Sequence, residues 1–183
     1  MESSQHSVHL YLVDQCIEGD RKAQFELYKL YSKAMYNICR RMMGNDDEAR
    51  DVLQDAFVSA FTKLSSFNRN STFGAWLKRI VINHCLNALN KKKLYFEEIN
   101  DQTELAQADE GHDPDYLKQG AQNILKAIDK ISEGCKTVLN LYLFEGYDHK
   151  EIAEILEISE STSKAQYSKA KKKIRDLIES GAI

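Results

Sequence analysis

The sequence predicts an all-α protein made of two small helical domains joined by a flexible, acidic linker. Apolar residues recur at three- and four-residue steps along most of the 183 residues, the period of amphipathic helices. The chain has one proline and eight glycines, the two residue types that most disfavour helix interiors. Residues 94–117 break the pattern with eight acidic residues and no lysine or arginine. We therefore expect domains at 1–93 and 117–183 and a linker at 94–116.

The first domain is expected to begin with two helices. An apolar stripe starts at Val8 and ends near Gly19, and a longer one follows from Phe25 to Met42. Gly44 is expected to end the second helix, because glycine readily takes the left-handed conformation that closes many helices.

The third helix has the most regular pattern. Asn45 is expected to cap it, with Glu48 at its third position, and its apolar face runs from Ala49 to Leu64. Its other face carries Asp47 and further carboxylates at four-residue steps. This acidic face favours solvent or a protein partner over Mg²⁺, because no second acidic helix would complete a metal shell.

A polar loop and a fourth helix complete the first domain. Asn68, Arg69 and Asn70 have the groups that hydrogen-bond to an unstacked base, and Phe67 offers a ring. Ordinary turn chemistry explains the same residues equally well. The fourth helix is expected to carry Trp76 in the core and to end in three lysines at 91–93.

The second domain is expected to contain a helix-turn-helix. Ser132 should cap a helix that precedes the motif. Gly146 should then turn the chain into the first helix of the motif, a short one capped by Asp148. Ser159 should then cap a second helix in which six lysines or arginines lie between Ser161 and Arg175, without an acidic residue. Such a basic second helix is typical of proteins that enter the DNA major groove.

Several residues of this helix have side chains suited to DNA. The exposed first turns should place four of them near base edges and phosphates: Lys164, Gln166, Ser168 and Lys169. The later basic residues should add affinity that does not depend on sequence: Lys171, Lys172, Lys173 and Arg175. The net charge of −3 does not contradict this prediction, since the chain outside 94–117 has 25 basic and 20 acidic residues.

Enzyme and cofactor signatures are missing from the sequence. It has no Gly-rich phosphate loop, no Gly-x-Ser-x-Gly elbow and no His-Glu-x-x-His helix. The four cysteines are widely spaced, so we expect reduced, buried thiols rather than a zinc site or disulfides. No signal peptide or membrane span is predicted. We expect a cytoplasmic protein that has no catalytic residues, no cofactor and no metal.

Three segments in this order resemble the extracytoplasmic-function (ECF) group of bacterial sigma factors. They are 44–57, 73–80 together with Asn83, and 146–173, so the resemblance covers nearly the whole chain. The resemblance implies two conserved helical domains around a variable linker, and an alternative sigma factor that binds RNA polymerase core and directs it to promoters. The implied partners are the β′ clamp and β flap of the polymerase, promoter DNA and, where one exists, an anti-sigma factor.

The resemblance also implies roles for individual residues. The surface that faces the β′ clamp helices would comprise Asp47, Asp51, Gln54 and Asp55. The loop that captures a flipped base of the −10 element would comprise Asn68, Arg69, Asn70 and Ser71. Positions near the −10 duplex would be Lys78, Arg79 and Asn83. Positions that meet the −35 element would be Lys164, Ala165, Gln166, Ser168 and Lys169, with Lys171 and Lys172 on phosphates.

The chain departs from the family pattern at its helix-turn-helix. Glu157 stands at a turn position where the family usually has glycine, and Ser161 replaces another usual glycine. Lysines replace several arginines, which loses the bidentate fork that suits guanine.

Two other classes also fit the residues: a stand-alone helix-turn-helix regulator, and an adaptor that uses its lysines only for solubility.

Overall fold

The computed structural model describes the backbone of residues 2–99 and 116–181. Within these ranges the chain forms eight α-helices and one short 3₁₀ turn, and it contains no β-strand. The chain divides into two compact units, Met1–Thr103 and Glu104–Ile183. The predicted all-α class with two helical domains is confirmed; most of the expected linker, residues 100–115, lies outside the described part.

The first unit contains α1 (Glu2–Ile17), α2 (Arg21–Met43), α3 (Asp46–Thr62), a 3₁₀ turn (Leu64–Ser66) and α4 (Phe73–Ile99). The predicted helix ends around Gly44 are confirmed. Gly44 has φ 75° and its N–H donates to the Arg40 carbonyl. Asn45 then accepts from the backbone N–H groups of Asp47 and Glu48, at 2.8 and 3.1 Å. The caps thus fix where α2 ends and α3 begins.

The core of the first unit lies where α2 packs against both α3 and α4. Its fully buried side chains include Leu27 from α2 and Leu77, Val81 and Ile82 from α4, and Phe57 of α3 is nearly so. Burying an aliphatic or aromatic side chain of this size stabilises a fold by about 1.5–3 kcal/mol. This packing holds the outward faces of α3 and α4 in fixed positions.

The fourth helix is longer than the sequence indicated. We expected it to end at Lys93, but α4 continues to Ile99 and so enters the range assigned to the linker. Residues 94–98 contain no glycine or proline that would stop a helix. Cations suit a helix end but do not terminate it, so the lysine run was a poor marker for the boundary.

The second unit contains α5 (Tyr116–Asp129), α6 (Glu133–Leu143), α7 (His149–Leu156) and α8 (Glu160–Glu179). α8 packs against each of the other three helices. A buried cluster lies at the junction of α5, α6 and α8, formed by Ile128, Ile131, Cys135, Leu139 and Ala170. The expected cap of α6 is wrong in one respect: Ser132 stands at the N-cap, but its hydroxyl makes no capping hydrogen bond.

All four cysteines are buried free thiols, as expected. Burial, together with the nearby Asp20 carboxylate, raises the pKa of Cys16 to about 11. A hydrogen bond with the Cys85 thiol lowers the pKa of Cys39. Among the residues with described side chains, no group of three or more His, Cys, Asp or Glu is placed to hold a metal ion.

Candidate nucleic-acid and polymerase interfaces

The second unit contains a helix-turn-helix made of α7 and α8. α7 begins with a complete capping box, in which the Asp148 carboxylate accepts from the Glu151 N–H and the Glu151 carboxylate accepts from the Asp148 N–H, both at 2.8 Å. Ser159 caps α8 by accepting from the Thr162 N–H at 3.0 Å. Both predicted caps are confirmed. Residues 157–159 alone connect the end of α7 to the start of α8.

Glu157 forms the turn in the left-handed conformation, with φ 54° and ψ 41°. Its N–H and that of Ile158 both donate to the Ala153 carbonyl, which closes the end of α7. A left-handed residue that carries a β-carbon costs about 1 kcal/mol. The chain accepts this cost without a glycine, so the sharp turn of the motif is retained.

One stripe of α8 packs into the unit and the opposite stripe faces outward. The packed stripe comprises Ser163, Tyr167, Ala170 and Ile174, which recur at steps of three and four residues. Successive residues of a helix are rotated by about 100°. The stripe on the far side of α8, which we call the outward strip, therefore comprises Ser161, Ala165, Ser168 and Lys172, all exposed.

Basic side chains flank the outward strip on both sides. Lys164 and Lys171 lie along one flank, and Lys169 and Lys173 along the other. Two of these lysines have partners within the chain: Lys164 pairs with Glu160 at 2.6 Å, and the Lys171 ammonium lies 4.5 Å from the centre of the Tyr167 ring. The hydrogen bond from Lys164 lowers the pKa of the Glu160 carboxyl.

Gln166 is placed differently from the other predicted DNA-binding residues of α8. Its side chain is half-buried and lies against Gly134 at the start of α6, where a β-carbon would come within 2.8 Å of the Gln166 amide oxygen. The lack of a side chain on Gly134 therefore allows Gln166 to fold back onto α6. Lys164, Ala165, Ser168, Lys169, Lys171 and Lys172 are all exposed.

A groove of about 370 Å³ lies between the α5–α6 turn and α8. Four lysines line it, namely Lys130, Lys169, Lys172 and Lys173, with Asp176 among the remaining lining residues. The positive surface of α8 thus continues onto the turn before α6. The sequence did not indicate this, because it does not show that Lys130 lies near the lysines of α8.

In the first unit, the loop before α4 presents polar groups on an aromatic base. Asn68, Arg69, Asn70 and Ser71 are all exposed. The suggestion that Phe67 could stack on a base is wrong, because Phe67 is only 5% exposed. Its ring packs against Phe73 and Trp76, at centroid distances of 5.9 and 5.4 Å. Trp76 is half-buried in this cluster, in line with the expected core role.

Hydrogen bonds preset the shape of this loop. The Asn68 side-chain oxygen accepts from the Asn70 N–H at 3.1 Å, and the Thr72 hydroxyl accepts from the Ala75 N–H at 3.2 Å. Arg69 has φ 62° and pairs with Asp14 of α1. On the following helix Arg79 and Asn83 are exposed and one turn apart, and Lys78 is half-buried.

The outer face of α3 combines carboxylates with an apolar groove. Asp47, Asp51, Gln54 and Asp55 are all exposed and lie on one side of the helix. Beside them a groove of about 480 Å³ is lined mainly by rings and aliphatic side chains: Tyr28, Arg50, Leu53, Gln54, Phe57, Val58 and Phe61. Val58 is 61% exposed and is an apolar residue on the otherwise polar face of α3. Its position in the sequence was a signal for this groove.

Comparison with known proteins resolves what these surfaces belong to. The family model of Sigma-70 region 2 matches residues 27–95, and that of Sigma-70 region 4 matches residues 121–174. The ECF RNA polymerase sigma factor SigW of Bacillus subtilis is 30% identical, over 90% of this chain and 96% of its own length. This chain is an ECF sigma factor.

Other relatives agree with this assignment, and solved structures share the fold. ECF sigma-E factors of Haemophilus influenzae and Escherichia coli K12 are 25% and 24% identical over 92% of this chain, and over 94% and 93% of their own lengths.

The fold resembles that of RpoE from Bartonella quintana, solved with the anti-sigma factor NepR (TM-score 0.60, 21% identity, 84% of this chain and 95% of that one). It also resembles CnrH, solved with the cytosolic domain of CnrY (TM-score 0.56, 21% identity, 93% and 96%).

The assignment replaces the two other classes left open by the sequence. As a sigma factor this protein is an alternative specificity subunit of RNA polymerase that directs transcription initiation. The region 2 match contains the α3 face and the loop before α4, and the region 4 match contains α7 and most of α8. Among the described helices, none is long and apolar enough to cross a membrane.

Proposed function

We propose that this sigma factor recognises promoters at two places, by docking α8 on the −35 element and by capturing a −10 base with the loop before α4. The observation that carries the proposal is the outward strip of α8. Three small side chains, Ser161, Ala165 and Ser168, let the helix approach base edges closely, and lysines on both flanks reach phosphates. This arrangement of a narrow reading face between two basic edges suits a recognition helix that lies in the major groove.

Within α8 we assign different roles to the residues that the sequence singled out. Ala165 and Ser168 would contact base edges, with Lys169 at the border of the strip. Lys164, Lys171 and Lys172 would bind phosphates. Gln166 would keep its position against Gly134. A contact between Gln166 and a base would require its side chain to move away from α6.

The first unit would bind polymerase core through the outer face of α3. Asp47, Asp51 and Asp55 supply negative charge for the β′ clamp helices, and Gln54 supplies a side-chain amide for hydrogen bonds. The neighbouring apolar groove supplies area that is desolvated on binding. Interfaces of this kind join an apolar centre to a polar rim. We place a second polymerase contact, with the β flap, on the unit that contains α8.

The −10 element would be captured by the preshaped loop. Asn68, Asn70 and Ser71 present exposed donors and acceptors to a flipped base, and the Asn68–Asn70 hydrogen bond holds the loop ready. Since Phe67 is buried, the loop would read the base by its polar edges rather than by stacking on that ring. Lys78, Arg79 and Asn83 would contact the adjacent duplex.

The remaining assignments concern the protein as a whole. We propose functional domains at 1–93 and 117–183, joined by an acidic linker at 94–116. The protein would act in the cytoplasm without catalytic chemistry, cofactor or metal. The structure of RpoE in complex with the anti-sigma factor NepR supports an anti-sigma factor as a further partner.

Two single substitutions test the scheme. Lys169→Ala should lower −35-dependent run-off transcription severalfold and leave co-elution with polymerase core unchanged. Asp55→Ala should weaken co-elution and lower transcription from promoters with and without a −35 element alike. Both side chains are exposed, so neither change should disturb folding. Equal effects of the two variants in both assays would refute the division of labour.

A further inference from the structure

The imidazole of His149 connects three helices of the second unit. His149 is the first residue of α7. Its ring stacks on Tyr142 of α6, with centroids 4.6 Å apart and planes at 20°, and it meets the edge of Tyr167 of α8 at 5.6 Å. Its Nδ1 lies 2.9 Å from the hydroxyl of Ser163, also in α8. One side chain of α7 therefore contacts both neighbouring helices.

Ser163 makes this contact specific to one placement of α8. Its side chain is fully buried, in the packed stripe that otherwise consists of apolar and aromatic residues. A buried hydroxyl needs a hydrogen-bond partner, and leaving it without one is costly. His149 satisfies Ser163 only when α8 has its present rotation and height against α7. An apolar residue at this position would tolerate small rotations that the hydrogen bond does not.

The contacts of His149 extend to the DNA-facing side of α8. Tyr142 and Tyr167 lie 4.5 Å apart, and the Lys171 ammonium sits 4.5 Å above the Tyr167 ring. We refer to Tyr142, His149, Ser163 and Tyr167 as the His149 cluster. Ser163 and Tyr167 lie on either side of Ala165 in the sequence, so the cluster holds the turn of α8 from which Ala165, near the middle of the outward strip, projects.

Small rotations of α8 would change which atoms the outward strip meets. With a helix radius of about 5–6 Å including side chains, a rotation of about 20° moves a surface atom by about 2 Å. Hydrogen bonds to base edges tolerate only about 0.5 Å. The three-residue turn at Glu157 sets the direction of α8. The contacts of the His149 cluster independently set the rotation of α8 about its own axis.

We propose that His149 is a positioning residue for promoter recognition, which acts through Ser163 to hold the outward strip of α8 in register with the bases of the −35 element. The proposal rests on the proposed docking of α8 at that element. The half-buried His149 ring lies against Tyr142, Ser163 and Tyr167, and the proposed role does not require it to touch DNA.

The test compares base preference among holoenzymes made from the full chain and purified polymerase core. Each holoenzyme selects from promoter fragments randomised across the −35 region, and sequencing gives the enrichment of the preferred element over its single-base variants. The variants are His149→Phe, which keeps a ring but loses the hydrogen-bonding nitrogen, Ser163→Ala, and the two combined. Core binding and Tm are measured for every variant.

Each single variant should lower the enrichment about fivefold, the equivalent of about one neutral hydrogen bond, and should leave core binding unchanged. The double variant should be no worse than either single one, because both changes remove the same interaction. Unchanged enrichment in the single variants, or losses that multiply in the double variant, would overturn the proposal. So would a fall in core binding that parallels the fall in enrichment, since that marks a general loss of structure.

Two further variants make the result decisive. His149→Gln keeps a side-chain amide for Ser163 and should retain most of the preference; a loss as large as that of His149→Phe, with core binding intact, would contradict a role for the hydrogen bond. Lys169→Ala tests the docking itself. If Lys169→Ala has no effect on selection, α8 does not dock as proposed; if it does and the cluster variants do not, only the positioning role fails.

Discussion

Glu157 takes a left-handed backbone conformation at the turn of the helix-turn-helix, where a glycine would be free of strain. The cost of about 1 kcal/mol is borne by a residue whose side chain is exposed. Neighbouring contacts compensate for it: the capping box before α7, the Ser159 cap of α8, and the paired hydrogen bonds to the Ala153 carbonyl. The motif therefore keeps its shape through contacts on both sides of the turn.

Replacing this glutamate should stabilise the free protein. Glu157→Gly is expected to raise the free energy of unfolding by about 1 kcal/mol, because it removes the left-handed strain at a helix end. Urea denaturation followed by circular dichroism measures the change. Glu154→Gly, an exposed site inside α7, is the matched control and should destabilise by about 1 kcal/mol. A Glu157→Gly variant as unstable as that control would show that the turn is not strained.

At single residues, the sequence predicts local interactions better than packing partners. Asn45, Asp148 and Ser159 cap their helices as expected, since a cap depends on only three or four neighbouring residues. Phe67 and Gln166 are less exposed than the sequence suggested, because each lies against a residue of another element. Trp76 of α4 packs on Phe67, and Gln166 lies against Gly134 of α6. Charge and polarity alone do not reveal such long-range contacts.

Among the elements, α8 has the largest share of the proposed function. Its packed stripe of small and aromatic residues leaves the outward strip free, and its lysines lie on both flanks. The amphipathic pattern of the sequence was sufficient to predict the helix and its basic character. The rotation of the helix could not be predicted, since it depends on the buried Ser163 and its partner in α7.

The lysines of α8 should appear in the salt dependence of binding. If Lys172 binds a phosphate, Lys172→Ala should weaken holoenzyme binding to matched and mismatched −35 sequences alike. It should also reduce the slope of log K against log salt by about 0.9. Filter binding of promoter fragments at several salt concentrations gives this slope. Lys126→Ala removes the same charge from an exposed site of α5 and is the control. Equal slopes for both variants would show that Lys172 does not contact a phosphate.

In the whole molecule, two compact units each contain part of the proposed interface. Neither the exposed loop before α4 nor the outward strip of α8 presents a large reading surface of its own. Two weak contacts become strong when both are held on one polymerase, since the second contact forms at high effective concentration.

The free chain should therefore bind promoters poorly. We expect its affinity for a promoter duplex to be about 100-fold or more below that of the holoenzyme at the same salt. Fluorescence anisotropy with a labelled promoter fragment measures both. Tight, sequence-specific binding by the chain alone would indicate that one unit suffices for recognition. Polymerase core without sigma factor, at the same concentration, controls for non-specific binding.

The length of α4 has a geometric consequence for the assembly. The helix runs without interruption from Phe73, beside the proposed −10 loop, to Ile99. At 1.5 Å per residue its 27 residues form a rod about 40 Å long. The C-terminal end of the described helix, at Ile99, therefore lies about 40 Å along the helix axis from the proposed −10 loop. Adding one residue to α4 would rotate its C-terminal end by about 100° about the helix axis relative to the loop. Adding a full turn would shift that end along the axis by about 5 Å and leave its direction nearly unchanged.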